Sequence, residues 1–394
     1  MLCVIFLKNN IIINELIKKL RISFPAAVLT NDSNNIQNSI NNVLTVYFTN
    51  HEKKEELFTL SGCNDVTSFD VITDELDDVI SNVKEFLAKV YCDSKWRRIP
   101  ERLYIETTNA CNAKCIMCPH ERMQRPIKFM NDYLFERIIM ELANEDLSNT
   151  TIFMHKEGEP LLDKDIVSRI KIVKNKLNCK EVAINTNASL LTNQLALELM
   201  DSSIDTIYIS IDGARKKTYE RIRLGLSFDS VIANVRYLLD NIALCKSNIK
   251  VILQMLCNDE NDEEVLEFKQ YWANYNAEIF IKRFHSYLDG GLSSFSTKLA
   301  SVQSIACVDP FNTLVIYADG GIGCCCWDYE NTFHLGNVAK DSIIDVFNGT
   351  KIKSILMNHI YQDCRTLNPC NRCMRIYGND AITGISGGKR VFIR

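Results

Sequence analysis

Apolar and polar positions change rhythm three times along this chain. Over residues 1–95, apolar runs at 2–7 and 43–49 predict strands. Segments 11–22 and 74–91 predict helices, the second with Val79, Val83, Phe86, Leu87 and Val90 on one face. The Asn-rich stretch 31–42 reads as a loop or a weak helix. The set predicts a small N-terminal α/β domain. Across residues 96–300 the pattern becomes regular. Apolar runs at 103–107, 151–155, 181–186, 206–211, 250–255 and 278–284 predict strands. Helical periodicity fills 131–146, 163–177, 192–202, 228–244 and 261–275 between them. Such alternation predicts a parallel sheet with helical crossovers, and in such folds chemistry gathers at the C-terminal strand ends. Residues 301–394 predict a hairpin at 314–317 with an Asp319-Gly320-Gly321 turn, then short helices at 341–348 and 351–358.

Charge excludes some partners. Against 45 basic residues stand 49 acidic ones, so no basic surface is expected for nucleic acid or anionic membrane. No apolar run approaches the ~18 residues that a membrane span needs. The 2–7 stretch lacks a basic leader and a cleavage site, so a cytoplasmic chain is expected.

The 16 cysteines change the picture. A long chain without an export signal predicts thiols and metal ligands rather than disulfides. Cys3, Cys63, Cys92, Cys179, Cys245 and Cys257 are scattered and read as small buried apolar residues. The others cluster. Cys111, Cys115 and Cys118 follow the first strand of the regular region as Cys-x3-Cys-x2-Cys. Three thiolates can hold an iron–sulfur cubane and leave one iron open; a zinc ion is the alternative, with His120 as a fourth ligand. Cys307, Cys324, Cys325, Cys326, Cys364, Cys370 and Cys373 form the second set. Cys370 and Cys373 make a chelating pair. With Cys307 and one of the triplet they supply four thiolates, enough to close a [4Fe–4S] cluster or a zinc site.

The first motif, with Gly158-Glu159-Pro160 at the end of the second regular strand, resembles the radical S-adenosylmethionine (SAM) superfamily over residues 101 to about 285. Glu157 stands where that family's Gly-Gly-Glu-Pro begins with glycine. Asn187, Ser210 and Asp212 resemble the polar strand ends that hold SAM, and Arg223 or Arg221 is a candidate for its carboxylate. The resemblance implies a partial (β/α)6 TIM-like barrel. It implies a [4Fe–4S] cluster on Cys111, Cys115 and Cys118 with SAM on its open iron. An external donor such as flavodoxin or ferredoxin would supply the electron that cleaves SAM to a 5′-deoxyadenosyl radical.

Cys307-x12-Gly320-x4-Cys325 resembles the opening of the SPASM/twitch extension, which carries auxiliary clusters. No cysteine follows Cys373, and Cys364-x5-Cys370-x2-Cys373 has the wrong spacing order for a full SPASM domain. The one-cluster twitch form fits better, with Cys307, Cys325, Cys370 and Cys373 as ligands. It resembles the twitch domain of the dehydrogenase of butirosin biosynthesis. An auxiliary [4Fe–4S] cluster can accept an electron, which implies oxidation of an alcohol on a sugar or cyclitol. A radical epimerase is the rival, with Cys257, Cys326 or Cys364 returning hydrogen. Modification of a ribosomal peptide is a third reading, and a non-catalytic iron–sulfur or zinc scaffold a reading of another class. Lys282, Arg283, His285, Trp327 and Asp328 are candidate pocket residues, and His285 has the range of a proton acceptor.

Overall fold

The computed structural model describes residues 98–258, 260–283, 307–361 and 363–373, helical residues 81, 84, 85 and 88, and six short strands outside those ranges. The helix expected at 11–22 and His285 lie outside the described residues, as do Cys63 and Cys92.

The N-terminal part holds more strands than its pattern predicts. β1 (Leu2–Phe6), β2 (Ala27–Thr30), β3 (Val43–Phe48) and β4 (Val66–Phe69) form a parallel sheet in the order β2-β1-β3-β4. β2 and β4 are four residues each and lie outside the regular strand–helix alternation that marks an equally short strand such as β5.

The regular region folds as its alternation predicts. Its strands are β5 (Arg102–Ile105), β6 (Lys114–Cys115), β7 (Leu147–Phe153), β8 (Cys179–Thr186), β9 (Thr206–Ser210), β10 (Arg223–Leu224), β11 (Lys250–Cys257) and β12 (Glu278–Arg283). The short β6 and β10 pair with each other, antiparallel. The other six lie side by side in chain order and parallel, as a partial barrel. Helices α1 (Asp132–Leu142), α2 (Ile166–Lys176), α3 (Asn193–Asp201), α4 (Lys216–Ile222), α5 (Phe228–Leu244) and α6 (Val265–Trp272) connect them. Side-chain caps start three of these: Asn131, Thr192 and Ser227 each accept a backbone N–H from the first turn. α1 buries Leu134, Phe135, Ile138, Ile139 and Leu142, one apolar stripe at helical spacing. The unforeseen α4 is seven mostly charged residues and buries only Thr218, Tyr219 and Ile222.

Alternation along the strands sorts the two faces. Leu103, Ile105, Val182, Ile184, Ile207 and Ile209 have no exposed surface and belong to the core cluster under the helices. Tyr104, Phe153 and Tyr208 point the other way. There Tyr104 stacks on Phe153 at 4.7 Å, and Phe153 meets Tyr208 at 6.4 Å.

The cysteine-rich part continues the same sheet. After α7 (Asp309–Asn312), β13 (Thr313–Ile316) pairs with β5 in parallel, Thr313 opposite Arg102. β14 (Gly321–Gly323) and β15 (Gly336–Asn337) follow antiparallel, giving a nine-stranded sheet among the described residues. Gly320 makes the tight turn with φ +83°, and a Cβ there would stand 3.0 Å from Asn337 Oδ1. α8 (Ile343–Phe347) and α9 (Thr350–Ile360) pack behind, and β16 (Ile382–Ser386) with β17 (Lys389–Ile393) forms a hairpin. Among the described residues no helix is long and apolar enough to cross a membrane.

One buried ion pair fastens the extension to the barrel. Both Arg125 amino groups donate to the Glu106 carboxylate at 2.9 Å, and Ala318 N–H donates to the same carboxylate at 3.0 Å. Glu106 has no exposed surface. Removing one partner of such a pair strands the other charge in a low dielectric. Glu106→Ala is therefore expected to cost about 3–5 kcal/mol, read as a lower urea midpoint with unchanged slope.

Candidate active site

The loop after β5 carries the first three cysteines, and the chain braces it from several sides. Asn109 receives Lys128 N–H at 2.6 Å and donates to Pro126 O at 3.0 Å. Cys118 N–H closes on Cys115 O at 3.0 Å, and Ile116 N–H reaches Ile222 O at 3.0 Å. The β6–β10 pair sets Cys115 opposite Arg223. His120, the fourth ligand a zinc reading would need, is engaged elsewhere: its Nε2 lies 2.7 Å from Asn109 O. Burial pushes the Cys111 thiol up to about 11 and, with Glu157 adding, the Cys118 thiol up to about 12. Cys111 and Cys115 also raise Cys118, so the three thiols lie within electrostatic reach of one another. Iron binding must displace these protons. Among the described residues no three His, Cys, Asp or Glu side chains converge on one point as a single ion requires. A cubane does not ask for that, because each ligand binds its own iron corner. The three thiols of this loop fit such a group.

Gly158-Glu159-Pro160 is locked against that loop. Glu159 N–H donates to Ala110 O at 2.8 Å. A Cβ on Gly158 would stand 2.4 Å from Thr108 O and 2.6 Å from Ala110 O, so only glycine allows the approach. The Glu159 carboxylate is buried and accepts from Thr186 Oγ1 at 2.5 Å, Asn187 N–H at 2.7 Å and Leu161 N–H at 3.2 Å. Burial raises its pKa, and those donors oppose the rise. Asn187 also donates to Asn112 Oδ1 at 3.0 Å, inside the cysteine motif. Three strand ends thus meet around Cys111. Glu157 pairs with Lys156.

Asp212 and Arg223, each expected at SAM, meet each other. Arg223 donates to Asp212 Oδ2 at 2.8 and 2.7 Å, and its remaining amino group lies 3.9 Å from Cys115 Sγ. Burial disfavours this guanidinium, yet Asp212 and Cys115 hold it charged above the ordinary arginine value. Arg221 is exposed and pairs with Glu260. Ser210 Oγ donates to Asn185 Oδ1 at 3.0 Å.

Lumen-facing positions add groups that no motif announced. His155 Nδ1 accepts Asn185 N–H at 3.0 Å, and burial, with Lys282 and Lys156 nearby, pushes the ring down to about 3. Lys282 donates to neutral Gln254 Oε1 at 2.9 Å, and burial lowers its ammonium to about 8. Cys326 acts electrostatically on Lys282 of β12 and on Tyr104 and Arg102 of β5, so it lies near both barrel edges. The other candidate thiols are engaged away from them: Cys257 with Asp262 at 2.7 Å and Cys364 with His359 at 3.4 Å.

The second thiol set converges behind β14. Cys307, Cys373, Cys364 and Cys324 all raise the Cys370 thiol, after burial itself. Cys325 is raised by burial and then by Cys326, Asp309, Cys307 and Cys373. Cys324 and Cys325 both reach Cys307, so the triplet offers two candidate ligands. Trp327 N–H points at Cys325 Sγ, 3.3 Å away. Asp328 is a turn residue rather than a pocket wall: it has no exposed surface and accepts Phe333 N–H at 3.0 Å. This crowd of buried thiols fits a closed auxiliary cluster.

Residues 105–271 match the radical SAM superfamily, and residues 307–374 match SPASM, an iron–sulfur cluster-binding domain. This chain carries a radical SAM core with a SPASM extension. Its cofactors are SAM, a [4Fe–4S] cluster and an auxiliary iron–sulfur cluster. A curated relative from Limosilactobacillus fermentum, named GTP 3′,8-cyclase, is 26% identical over 216 residues, 52% of this chain and 59% of the relative. A probable GTP 3′,8-cyclase of Saccharolobus islandicus is 27% identical over 186 residues, 47% and 57%. The chain therefore spans less than two thirds of the curated relatives it matches. Among solved structures, BtrN in complex with AdoMet and 2-DOIA superposes with TM-score 0.52 at 18% identity, over 71% of this chain and 94% of BtrN. Streptococcus suis SuiB bound to precursor peptide SuiA gives 0.54 at 15%, over 83% and 82%. These likenesses show a shared fold, seen with a small molecule in one case and a peptide in the other.

The radical SAM core makes Gly158 a direct test. Gly158→Ala must push its segment off the Cys111 loop. SAM affinity is expected to fall by at least about tenfold in equilibrium binding, with auxiliary-cluster iron retained.

Proposed function

We propose that this radical SAM protein abstracts hydrogen from a carbinol carbon of a sugar or cyclitol and oxidises it to a carbonyl. The observation that carries this reading is the shared sheet. β13 on β5 brings Cys326, the neighbour of the proposed ligand Cys325, to the barrel edge at Arg102 and Tyr104. When bound, the first cluster with SAM supplies a hydrogen-abstracting 5′-deoxyadenosyl radical, and the auxiliary cluster supplies an electron acceptor. The first is held by Cys111, Cys115 and Cys118, the second by Cys307, Cys325, Cys370 and Cys373. Glu159, Thr186, Asn187 and Ser210 shape the SAM side of the pocket, and the Asp212–Arg223 pair braces it beside Cys115.

The carbinol loses one hydrogen atom, one proton and one electron overall. Lys282 is the proposed proton acceptor at Nζ, because its depressed pKa of about 8 gives it a far larger neutral fraction near physiological pH than an ordinary lysine has. GTP cyclisation, the activity named for the curated relatives, asks for several unpaired cations to hold a triphosphate. Lys156, Arg102, Arg125 and Arg223 are each already paired with a carboxylate. Among the described residues Lys282 has only the neutral Gln254 as hydrogen-bond partner. Epimerisation is the second reading, favoured by the position of Cys326 near both barrel edges.

Reconstituted protein, dithionite, SAM and a panel of carbinol-deuterated sugars and cyclitols test the reading. A carbonyl product should form with one deuterated 5′-deoxyadenosine per turnover. Cys370→Ala should keep SAM cleavage and lose that product. Solvent deuterium at an inverted carbon would instead select the epimerase.

A proton acceptor works only when neutral. Product formation is therefore expected to rise with pH through about 8 and then level off. Lys282→Met should abolish the carbonyl product at every pH while SAM cleavage persists.

A further inference from the structure

His359 lies on α9 with no exposed surface, on the buried face with Ile355, Leu356 and Ile360. Its two ring nitrogens meet different parts of the second thiol set. Cys307 N–H donates to Nδ1 at 3.3 Å, and Cys364 Sγ lies 3.4 Å from the same nitrogen. A nitrogen that accepts a backbone N–H carries no proton, so the network assigns the ring proton to Nε2. Nε2 stands 3.5 Å from Cys370 Sγ. That N–H therefore donates to the sulfur.

We propose that His359 is a positioning residue for the auxiliary cluster, spacing Cys307 and Cys370 and raising the cluster's reduction potential through an Nε2–H···Sγ bond to Cys370. The inference rests on Cys370 being a cluster ligand and goes beyond the reaction proposed above. A donor on a thiolate withdraws charge from the metal site, which favours the more negative reduced form. The backbone N–H of Trp327 does the same at Cys325 Sγ, whereas the His359 donor belongs to a side chain that a substitution can replace. Cys364 contributes from the other side. Its thiol contact on Nδ1 keeps that nitrogen an acceptor and so keeps the proton facing Cys370.

The test isolates the second cluster. In full-length protein with Cys111, Cys115 and Cys118 all changed to Ala, reconstitution should leave about four irons per chain. His359→Ala and His359→Gln are compared in that background by iron content, electron paramagnetic resonance and potentiometric titration. The Ala variant should keep its iron and titrate at a more negative potential. The Gln variant, whose amide N–H reaches the same sulfur, should return towards the parent value. An Ala variant that loses iron would make His359 a ligand or a folding residue and overturn the proposal. An unchanged potential, or a Gln variant that behaves like Ala, would overturn it too. Cys370→Ala in the same background checks the ligand assignment separately: retained iron would show that Cys370 is not a ligand, whatever His359 does.

Discussion

The spacing between the two thiol sets depends on one buried contact, the Glu106–Arg125 ion pair. Arg125 lies seven residues beyond Cys118, and Tyr329 lies three beyond Cys326. Arg125 spans both: its guanidinium clasps Glu106 at the end of β5, and its Nε donates to Tyr329 O at 2.7 Å. The same cation sits 4.6 Å over the Tyr317 ring, with Lys156 over that ring at 5.1 Å. Tyr317 OH then donates to Asp328 O at 2.5 Å. Two cations and one ring thus join the first cysteine loop, the Gly-Glu-Pro strand end and the cysteine triplet. Such a pair adds little over an apolar contact of equal volume. Its value here is directional, because a bidentate fork fixes angle as well as distance.

The same economy governs the rest of the barrel's charge. Arg102, Arg125, Lys156 and Arg223 each meet a carboxylate; the three arginine pairs each tie two chain segments together, and Lys156, paired with its neighbour Glu157, reaches the extension by donating to Asp328 O at 3.3 Å. Asp212, expected at SAM from its strand end, and Arg223, expected there as a carboxylate partner, therefore also stiffen the wall beside Cys115. Lys282 differs, since Gln254 satisfies a hydrogen bond without neutralising charge. Desolvation is then opposed only weakly, and the ammonium gives up its proton more readily.

Much of this was legible in the sequence. The strand–helix alternation predicts the six parallel strands, because helical stretches long enough for their period to register separate them; their order as a partial barrel is what the family resemblance implies. The short strands β2 and β4 lie outside that alternation, and α4, mostly charged, has too few apolar positions to set a period. The two cysteine sets were legible because thiolate spacing along the chain constrains geometry directly. Glu106, Arg125, His155 and Lys156 were not, since their partners lie on other strands or across the extension. His359 left a fainter mark. It occupies the apolar stripe of α9 after Ile352, Ile355 and Leu356, where a polar residue signals a buried partner. The pairing of β13 with β5 left no local trace, because a parallel partner some 200 residues away is set by topology rather than by pattern.

That pairing has a chemical consequence. A partial barrel leaves an open edge at its first strand, and an unpaired edge is a liability. β13 covers it with the element that leads into the cysteine triplet. The extension therefore cannot be docked on β5 without bringing Cys325 and Cys326 to the barrel wall, Cys325 towards Cys307 and Cys373, Cys326 towards Tyr104 and Lys282. One strand pairing satisfies the backbone of β5 and brings the cysteine triplet to the barrel wall, Cys326 foremost. The separation of the two thiol sets is thus fixed by sheet hydrogen bonds, which do not drift as a hinged domain would. Any chemistry that needs both sites follows from that shared ladder.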